Sequence, residues 1–382
     1  MKIVINAIIA KKNAGGAFQI SKNFIMETLQ HPEIEWYWFV SKDLDEVLSN
    51  SFTSMSGKRY FVFPTQPDFR HTYFTVKKEL VQILGDISPD VVYSINAPSY
   101  FRFKCKEVMR FTKPWVTHPN KYSWGTLTGT KRILKKLEIL LQKQLIKKCE
   151  YFITQSNTCK NGIIKITGLS DNRIKVVSNV LPAVYRNADN SHLSLDGKWV
   201  DVACIGNPYP HKNMDIMPDV LLELKKQGID NLRFHVTIPK EHPLWSDMKL
   251  KLEQNDLQGY IITHGRCTQQ ELIDVYRHCQ LCYQPTVLEV FSASAIEAMY
   301  FNLPTVASDM PFNSEVFEDS CLYYEPCNAV QAAKCFKKLI FDTNLQQELK
   351  DKMKSRLKVY GNYDSHYKET VDFLIQVAED RI

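Results

Sequence analysis

Short apolar runs alternate along the chain with stretches whose apolar residues recur at three- and four-residue steps. The runs at 2–8, 35–41, 59–64, 90–94, 114–118, 150–155 and 173–178 read as strands, and 17–30, 76–85 and 131–148 read as helices. This alternation predicts a parallel sheet covered by helices. It slackens through "LPAVYRNADNSHLSLDGK", whose polar and turn-forming residues predict a linker. A second series starts at Val200, with strands expected at 200–205, 233–237, 260–263, 281–284, 305–307 and 321–324. The expected fold class is therefore α/β, with two Rossmann-like doubly wound domains facing across a cleft. The boundaries are 1–181, a linker at 182–198, 199–362, and a C-terminal helix at 363–382 that crosses back to the first domain. A ligand is expected where strand carboxyl ends face the cleft.

Within the second series, "QPTVLEVFSASAIEAMYFNLPTVAS" runs from Gln284 to Ser308 and holds Glu289 and Glu297 with seven residues between them. The pattern predicts a strand ending at Pro285, a helix over 292–300 and a strand over 304–307. Glu289 then falls in the loop before the helix and Glu297 about one and a half turns inside it. Ser292, Ala293, Ser294 and Ala295 make a first turn of small residues, whose unpaired N–H groups and positive dipole end suit an anion such as phosphate. Ionised glutamates accept hydrogen bonds only, so they suit sugar hydroxyls. Together these features point to a sugar linked to a phosphate. Taken alone, the two glutamates also read as a solvent-facing helix residue and an ordinary loop charge.

At 382 residues the chain is long enough for two cores. Lysines interrupt the apolar N-terminus after Ala10, so no secretory signal is expected, and no run reaches the ~18 apolar residues of a membrane span. Ten scattered cysteines predict reduced thiols and a cytoplasmic location. Cys279 and Cys282 form a lone CxxC at the approach to a buried strand and read as core residues, and Asp43 to Asp45 ("DLD") as solvated charge; no metal is expected. The net charge of +6 is local: the helix-like stretch "KRILKKLEILLQKQLIKKC" (131–149) has seven basic residues against Glu138 alone. That argues against a nucleic-acid-binding protein. Leu134, Leu137, Leu141 and Leu145 make an apolar stripe with a basic rim. The segment reads either as a helix packed on its sheet with a solvated outer face, or as one whose edge rests on an anionic membrane surface.

Neither G-x-G-x-x-G nor a Walker-type loop is present, which removes the main support for a dinucleotide oxidoreductase. In their place stand "NAGG" (13–16) after the first strand, where Gly15 and Gly16 allow close approach of a ligand to the main chain, and "IGNPYPHKN" (205–213) after the first strand of the second series. Lys212 in the latter is a point charge suited to a diphosphate. With these residues, "GRCTQQELIDVYRHCQLCYQPTVLEVFSASAIEAMYFNLPTVASDMPFNSEVF", with its further Glu315, resembles the retaining, nucleotide-sugar-dependent glycosyltransferases of GT-B fold, the "glycosyl transferases group 1" or family 4 class. The resemblance covers nearly the whole chain and is strongest in the second domain.

The resemblance implies an acceptor-side first domain and a second domain that binds a nucleoside diphosphate sugar, with no further cofactor. Glu289 would contact hydroxyls of the transferred sugar and Glu297 the nucleotide ribose. The amides around Phe291, Ser292, Ala293 and Ser294 would meet sugar and phosphates, as would the glycine loop with Gly15 and Gly16. Lys212 would bind the diphosphate, and His118, in "KPWVTHPN", would position sugar or acceptor at the end of a first-domain strand. The implied reaction moves a hexose-type sugar to a hydroxyl of a glycan or lipid-linked glycan with retention, in cell-surface polysaccharide assembly, in the cytoplasm or at the inner membrane face. The chain departs from the family at Asn207, where an arginine is common, at Ser292 and Asn302, which replace glycines, and at 178–180, where "SNV" replaces Asn-Gly. The lost arginine removes a positive charge from the diphosphate site, which His211 or Arg266 would have to supply. Two alternatives stand beside this reading, a GT-B nucleotide-sugar epimerase and a catalytically silent scaffold subunit of a glycan-assembly complex.

Overall fold

Valine, isoleucine and aromatic residues, which pack well on a pleated surface, build two parallel sheets. The computed structural model describes residues 1–12, 16–64, 73–186, 188–193 and 197–382. The first sheet contains β1 (Lys2–Ala7), β2 (Glu35–Ser41), β3 (Tyr60–Phe63), β4 (Val91–Ser94), β5 (Lys106–Arg110), β6 (Tyr151–Thr154) and β7 (Ile174–Val176), in the order β3-β2-β1-β4-β5-β6-β7. The second contains β8 (Val200–Cys204), β9 (Leu232–Val236), β10 (Ile261–Thr263), β11 (Leu281–Gln284), β12 (Thr305–Ser308) and β13 (Leu322–Tyr324), in the order β10-β9-β8-β11-β12-β13. Each is doubly wound. Strand order reverses between β1 and β4 in one and between β8 and β11 in the other, and such a switch point opens a crevice at the strand carboxyl ends.

The described residues divide into two compact units, Met1–Thr117 with Lys135–Val177 and Asp364–Ile382, and His118–Leu134 with Ser178–Tyr363. In the first, the helix Tyr363–Ala378 adds Tyr367, Val371, Phe373, Leu374 and Val377 to the core that contains Ile3, Phe24, Trp36 and Tyr93. Tyr367 stacks on His31 with ring centroids 4.5 Å apart, and the Lys106 ammonium caps the helix end by donating to the carbonyls of Val377 at 2.9 Å and Ala378 at 3.1 Å. Part of the stretch expected to be a linker packs onto the second unit. Tyr185 in the short helix Ala183–Arg186 is fully buried, and Arg277 holds Asp189 at 2.7 Å.

The structure corrects one strand. Pro114–Thr117 is a short helix, and the strand that the first sheet uses is β5, Lys106–Arg110. Trp115, Val116 and Thr117 favour strands, which made the segment look extended, but Pro114 supplies a φ suited to the first helical position. The charges of "KEVMR" hid the buried strand residues Val108 and Met109. The correction relocates His118, which follows a helix rather than ending a strand.

Gly162, in the helix Asn157–Thr167, lets that helix lie directly against Thr117. A Cβ at 162 would stand 2.5 Å from the Thr117 carbonyl oxygen and 2.6 Å from its Cβ. Both neighbours are near or in the backbone and must move to admit a methyl group. Gly162→Ala is therefore expected to destabilise the protein by about 1–3 kcal/mol, the usual cost of overpacking, despite the better helix propensity of alanine. A urea midpoint equal to or above that of the unmodified protein would contradict this packing.

Candidate functional site

The site forms where β8 and β11 run side by side, paired in parallel with Leu281 opposite Val202 and Cys282 opposite Ala203. Both strands release their loops at the same edge of the sheet. After β8 the chain passes Gly206 and Asn207 into a single 3₁₀ turn, Pro210–Lys212, closed by Asn213 in the left-handed region at φ 53°. Asparagine tolerates that conformation, and its side chain reaches Pro285 across the gap at 3.4 Å. A Cβ on Gly206 would lie 3.8 Å from Lys212 Cε, so Lys212 runs closely past this glycine.

After β11 the chain passes through Pro285–Phe291, an apolar and largely buried loop, to the helix Ala293–Tyr300. Besides the bond from Asn213, three hydrogen bonds fasten it to the first loop and its surroundings. Val287 N–H donates to the His211 carbonyl at 2.9 Å, Thr286 Oγ1 to the same carbonyl at 3.2 Å, and Ser308 Oγ to the Thr286 carbonyl at 2.6 Å. The segment 118–134 braces the other side, where Asn120 Nδ2 donates to Val287 O at 2.8 Å and His118 Nε2 to Glu289 O at 2.7 Å. The one charged side chain in the loop, Glu289, forms an ion pair with Lys212, and both side chains are mostly buried.

His118, Lys212 and Glu289 are thus brought together. Burial pushes the His118 imidazole below its ordinary 6.5, against the opposing influence of its bond to the Glu289 carbonyl and of the Glu289 and Glu315 carboxylates. At neutral pH it is uncharged, with the proton on Nε2 where it donates. Phe291 is buried and packs edge-on to Tyr360, with centroids 5.3 Å apart. Ser292, expected inside the helix, is its N-cap residue instead, and its hydroxyl makes no capping bond: it lies 2.9 Å from Ser294 Oγ, to which Gln284 Nε2 also donates at 3.0 Å. The helix therefore begins at Ala293, and no side chain of the N-cap occupies its first N–H groups. Asn207 is exposed and lies before the 3₁₀ turn. Gly16 opens the helix Gly16–Thr28 in the first unit with open space around its Cβ position; Gly15 lies outside the described residues.

Glu297 is the fifth residue of its helix, as expected, but it is not solvent-facing. It is 6 % exposed and accepts a 2.6 Å hydrogen bond from the Tyr276 hydroxyl, while the Tyr185 hydroxyl stands beside it without completing one. Burial raises its carboxyl above the ordinary range, and the two tyrosines pull it only part of the way back. Asn302 explains its own departure from glycine. It lies just past the helix end at φ 52°, a left-handed position that asparagine can fill.

Sequence reading passed over a polar network beside these loops. Asp201 of β8 is bound by Arg233 at 2.6 and 3.1 Å and by His235 Nε2 at 2.8 Å, and His235 Nδ1 is 2.9 Å from His264 Nε2. Burial disfavours the Asp201 charge, but the bonds from His235 and Arg233 outweigh it and hold the carboxyl below its usual range. His264, Gly265 and Arg266 line a cavity of about 400 Å³ at the carboxyl ends of β9 and β10. The available signal was the presence of Asp201, Arg233 and His235 in otherwise apolar strands. Cys279 and Cys282 are buried core thiols, and among the described residues no group of three or more His, Cys, Asp or Glu is placed to hold a metal.

Comparison with known proteins defines the class first through the fold. A glycosyltransferase from Rickettsia africae superposes with a TM-score of 0.71 over 98 % of both chains at 12 % identity. Anabaena Alr3699/HepE in complex with UDP and glucose does so with 0.71 over 98 % of this chain and 100 % of its own, at 14 % identity. The chain has the GT-B fold. Residues 186–356 match the family described as "Glycosyl transferases group 1". The O-antigen chain mannosyltransferase RfbU of Salmonella typhimurium strain LT2 is 24 % identical over 194 residues, 49 % of this chain and 50 % of RfbU. The match thus spans about half the length of that curated relative.

The burial of Glu297 has a testable consequence. A carboxyl raised in the folded state contributes stability below its unfolded pKa and loses it as pH rises through the folded value. Glu297→Gln retains an acceptor for Tyr276 but cannot ionise, so it is expected to melt higher than the unmodified protein at neutral pH, with the gap closing as pH falls towards the ordinary glutamate range. A gap independent of pH, or a lower melting temperature at neutral pH, would contradict a strained buried charge.

Proposed function

We propose that the protein is a retaining glycosyltransferase that moves a hexose-type sugar from a nucleoside diphosphate sugar to a hydroxyl of a glycan or lipid-linked glycan, in the assembly of a cell-surface polysaccharide. The observation that carries this reading is the junction of Lys212, Glu289 and His118 at the edge shared by β8 and β11. The family match of residues 186–356, the name of RfbU and the UDP and glucose bound to HepE support it. The cytoplasm, where the ten free cysteines stay reduced, is the proposed compartment.

In this reaction a diphosphate arriving at Lys212 competes with Glu289 for the ammonium. The released carboxylate then accepts hydrogen bonds from the sugar hydroxyls, so donor binding exchanges one ion pair for two sets of contacts. The acceptor oxygen bonds to the anomeric carbon as the bond from that carbon to the diphosphate oxygen breaks. Attack comes from the face the diphosphate leaves, and a phosphate oxygen takes the acceptor's proton. Lys212 and the N–H groups at Ala293 and Ser294 stabilise the charge that develops on the diphosphate, the kind of preorganised electrostatic work that dominates such catalysis. Neutral His118 positions the sugar or acceptor, and Glu297 holds the ribose.

A thermal-shift screen of nucleoside diphosphate sugars should find a donor that raises the melting temperature by mass action, and the anomeric coupling of the product, read by NMR, should show retention. Nucleotide release should require an acceptor; release without one, with an altered sugar, would indicate an epimerase. In calorimetry, Lys212→Ala should lose about tenfold or more in affinity for the nucleoside diphosphate and little for the nucleoside, whereas Glu297→Gln should weaken both, as each removes a charge-assisted contact. Equal losses for Lys212→Ala on both ligands would displace the lysine from the diphosphate.

The imidazole of His118 sets a pH limit. Because burial lowers its pKa, turnover should be insensitive to His118 protonation at neutral pH and fall only below the ordinary histidine value of 6.5, where Nδ1 becomes a donor. His118→Gln should remove that acid limb from the kcat profile. Persistence of the same limb would assign it to another group.

A further inference from the structure

The helix Gly129–Ile146 is amphipathic in the opposite sense to a packed helix. Its buried residues, Ile139, Gln142 and Ile146, fall within an arc of about 60° at 3.6 residues per turn. On the opposite side, Ile133, Leu134, Leu137, Leu140 and Leu141 occupy a continuous arc of about 120°. These five are 61, 64, 57, 58 and 55 % exposed. Of the leucine stripe seen in the sequence, Leu134, Leu137 and Leu141 therefore face solvent and Leu145 is half-buried, and the helix anchors itself through its narrower side. Five large apolar side chains at successive turns form a patch of the kind that marks an interaction surface.

Charge decides what covers it. Arg132, Lys136, Lys143 and Lys147 run along one border of the apolar arc, and Lys131 and Lys148 lie near its two ends. The single acid, Glu138, is taken up by Lys135 at 2.5 Å and Gln142 at 3.0 Å. Among the described residues, none of Arg132, Lys136, Lys143 and Lys147 is paired to a carboxylate. A second copy of the chain would bring two such basic borders together, which like charge opposes. A neutral surface would leave them unused.

We propose that the outward face of this helix docks on an anionic lipid bilayer, with the helix axis in the interface plane. Ile133, Leu134, Leu137, Leu140 and Leu141 enter the boundary between headgroups and acyl chains, and the basic border lies against lipid phosphates. No helix among the described residues is long and apolar enough to cross a membrane, so this contact lies on the surface. The docking goes beyond the transfer reaction and does not rest on it.

Co-sedimentation of the full chain with phosphatidylcholine vesicles, with and without phosphatidylglycerol, tests it without reference to activity. Binding is expected only where phosphatidylglycerol is present, weakening as salt shortens the Debye length below about 10 Å. The pair Leu137→Gln with Leu141→Gln, and separately Lys136→Glu with Lys143→Glu, should each reduce partitioning at least about tenfold while leaving the melting temperature unchanged, because these side chains point outward. Absence of binding to phosphatidylglycerol vesicles at low salt would overturn the proposal. So would full binding by the leucine variant, or an unmodified chain that sediments as a dimer and becomes monomeric in that variant.

Discussion

The ion pair between Lys212 and Glu289 joins two loops that neither sequence proximity nor secondary structure would bring together. It depends on the parallel pairing of β8 with β11, which releases both loops at one edge of the second sheet. Once they meet, the bonds from Val287 and Thr286 to the His211 carbonyl, and from Asn120 and His118 to the carbonyls of Val287 and Glu289, leave the apolar loop little freedom. The charged side chains are consequently held at a fixed place rather than swinging on flexible turns. An ammonium positioned in this way is what the proposed diphosphate would meet, once it displaces Glu289 from the pair.

The same unit carries buried polar groups that do not serve its stability. Glu297 lies in a helix whose neighbouring residues Ala295, Ile296, Ala298 and Met299 are apolar and buried, and one tyrosine hydroxyl bonds to it. Burying a carboxyl that its partners only partly compensate costs free energy, and such costs are typically retained where a group has a second use. Asp201 is the contrasting case, because Arg233 and His235 satisfy it so fully that its charge is favoured despite burial. Two carboxylates in one unit are thus driven in opposite directions by the company they keep.

The helix Gly129–Ile146 shows how far a periodic pattern can mislead about direction. Periodicity places Leu134, Leu137 and Leu141 on one face, and they do share one. It does not say whether that face looks inward. The helix has a second, weaker face, Ile139, Gln142 and Ile146, and packing on that side leaves the stronger one outside.

Alternation of short strands with helices determined the α/β class and most of the strands, because each buried parallel strand must be a nearly continuous apolar run. The pattern of the seven residues between Glu289 and Glu297 likewise placed one in a loop and one in a helix, since helix geometry is local. Asn302 could be recognised as a substitute for glycine, and the structure supplies the reason in its left-handed backbone. Only the tertiary structure decided that β5 is Lys106–Arg110 and that 114–117 is helical, because strand-forming residues after a proline satisfy either conformation locally. Only the tertiary structure paired Lys212 with Glu289, turned Glu297 towards Tyr276 and linked Asp201 to His264 through His235. These contacts join residues far apart in the chain, and strand order, which no local pattern records, brings them within reach.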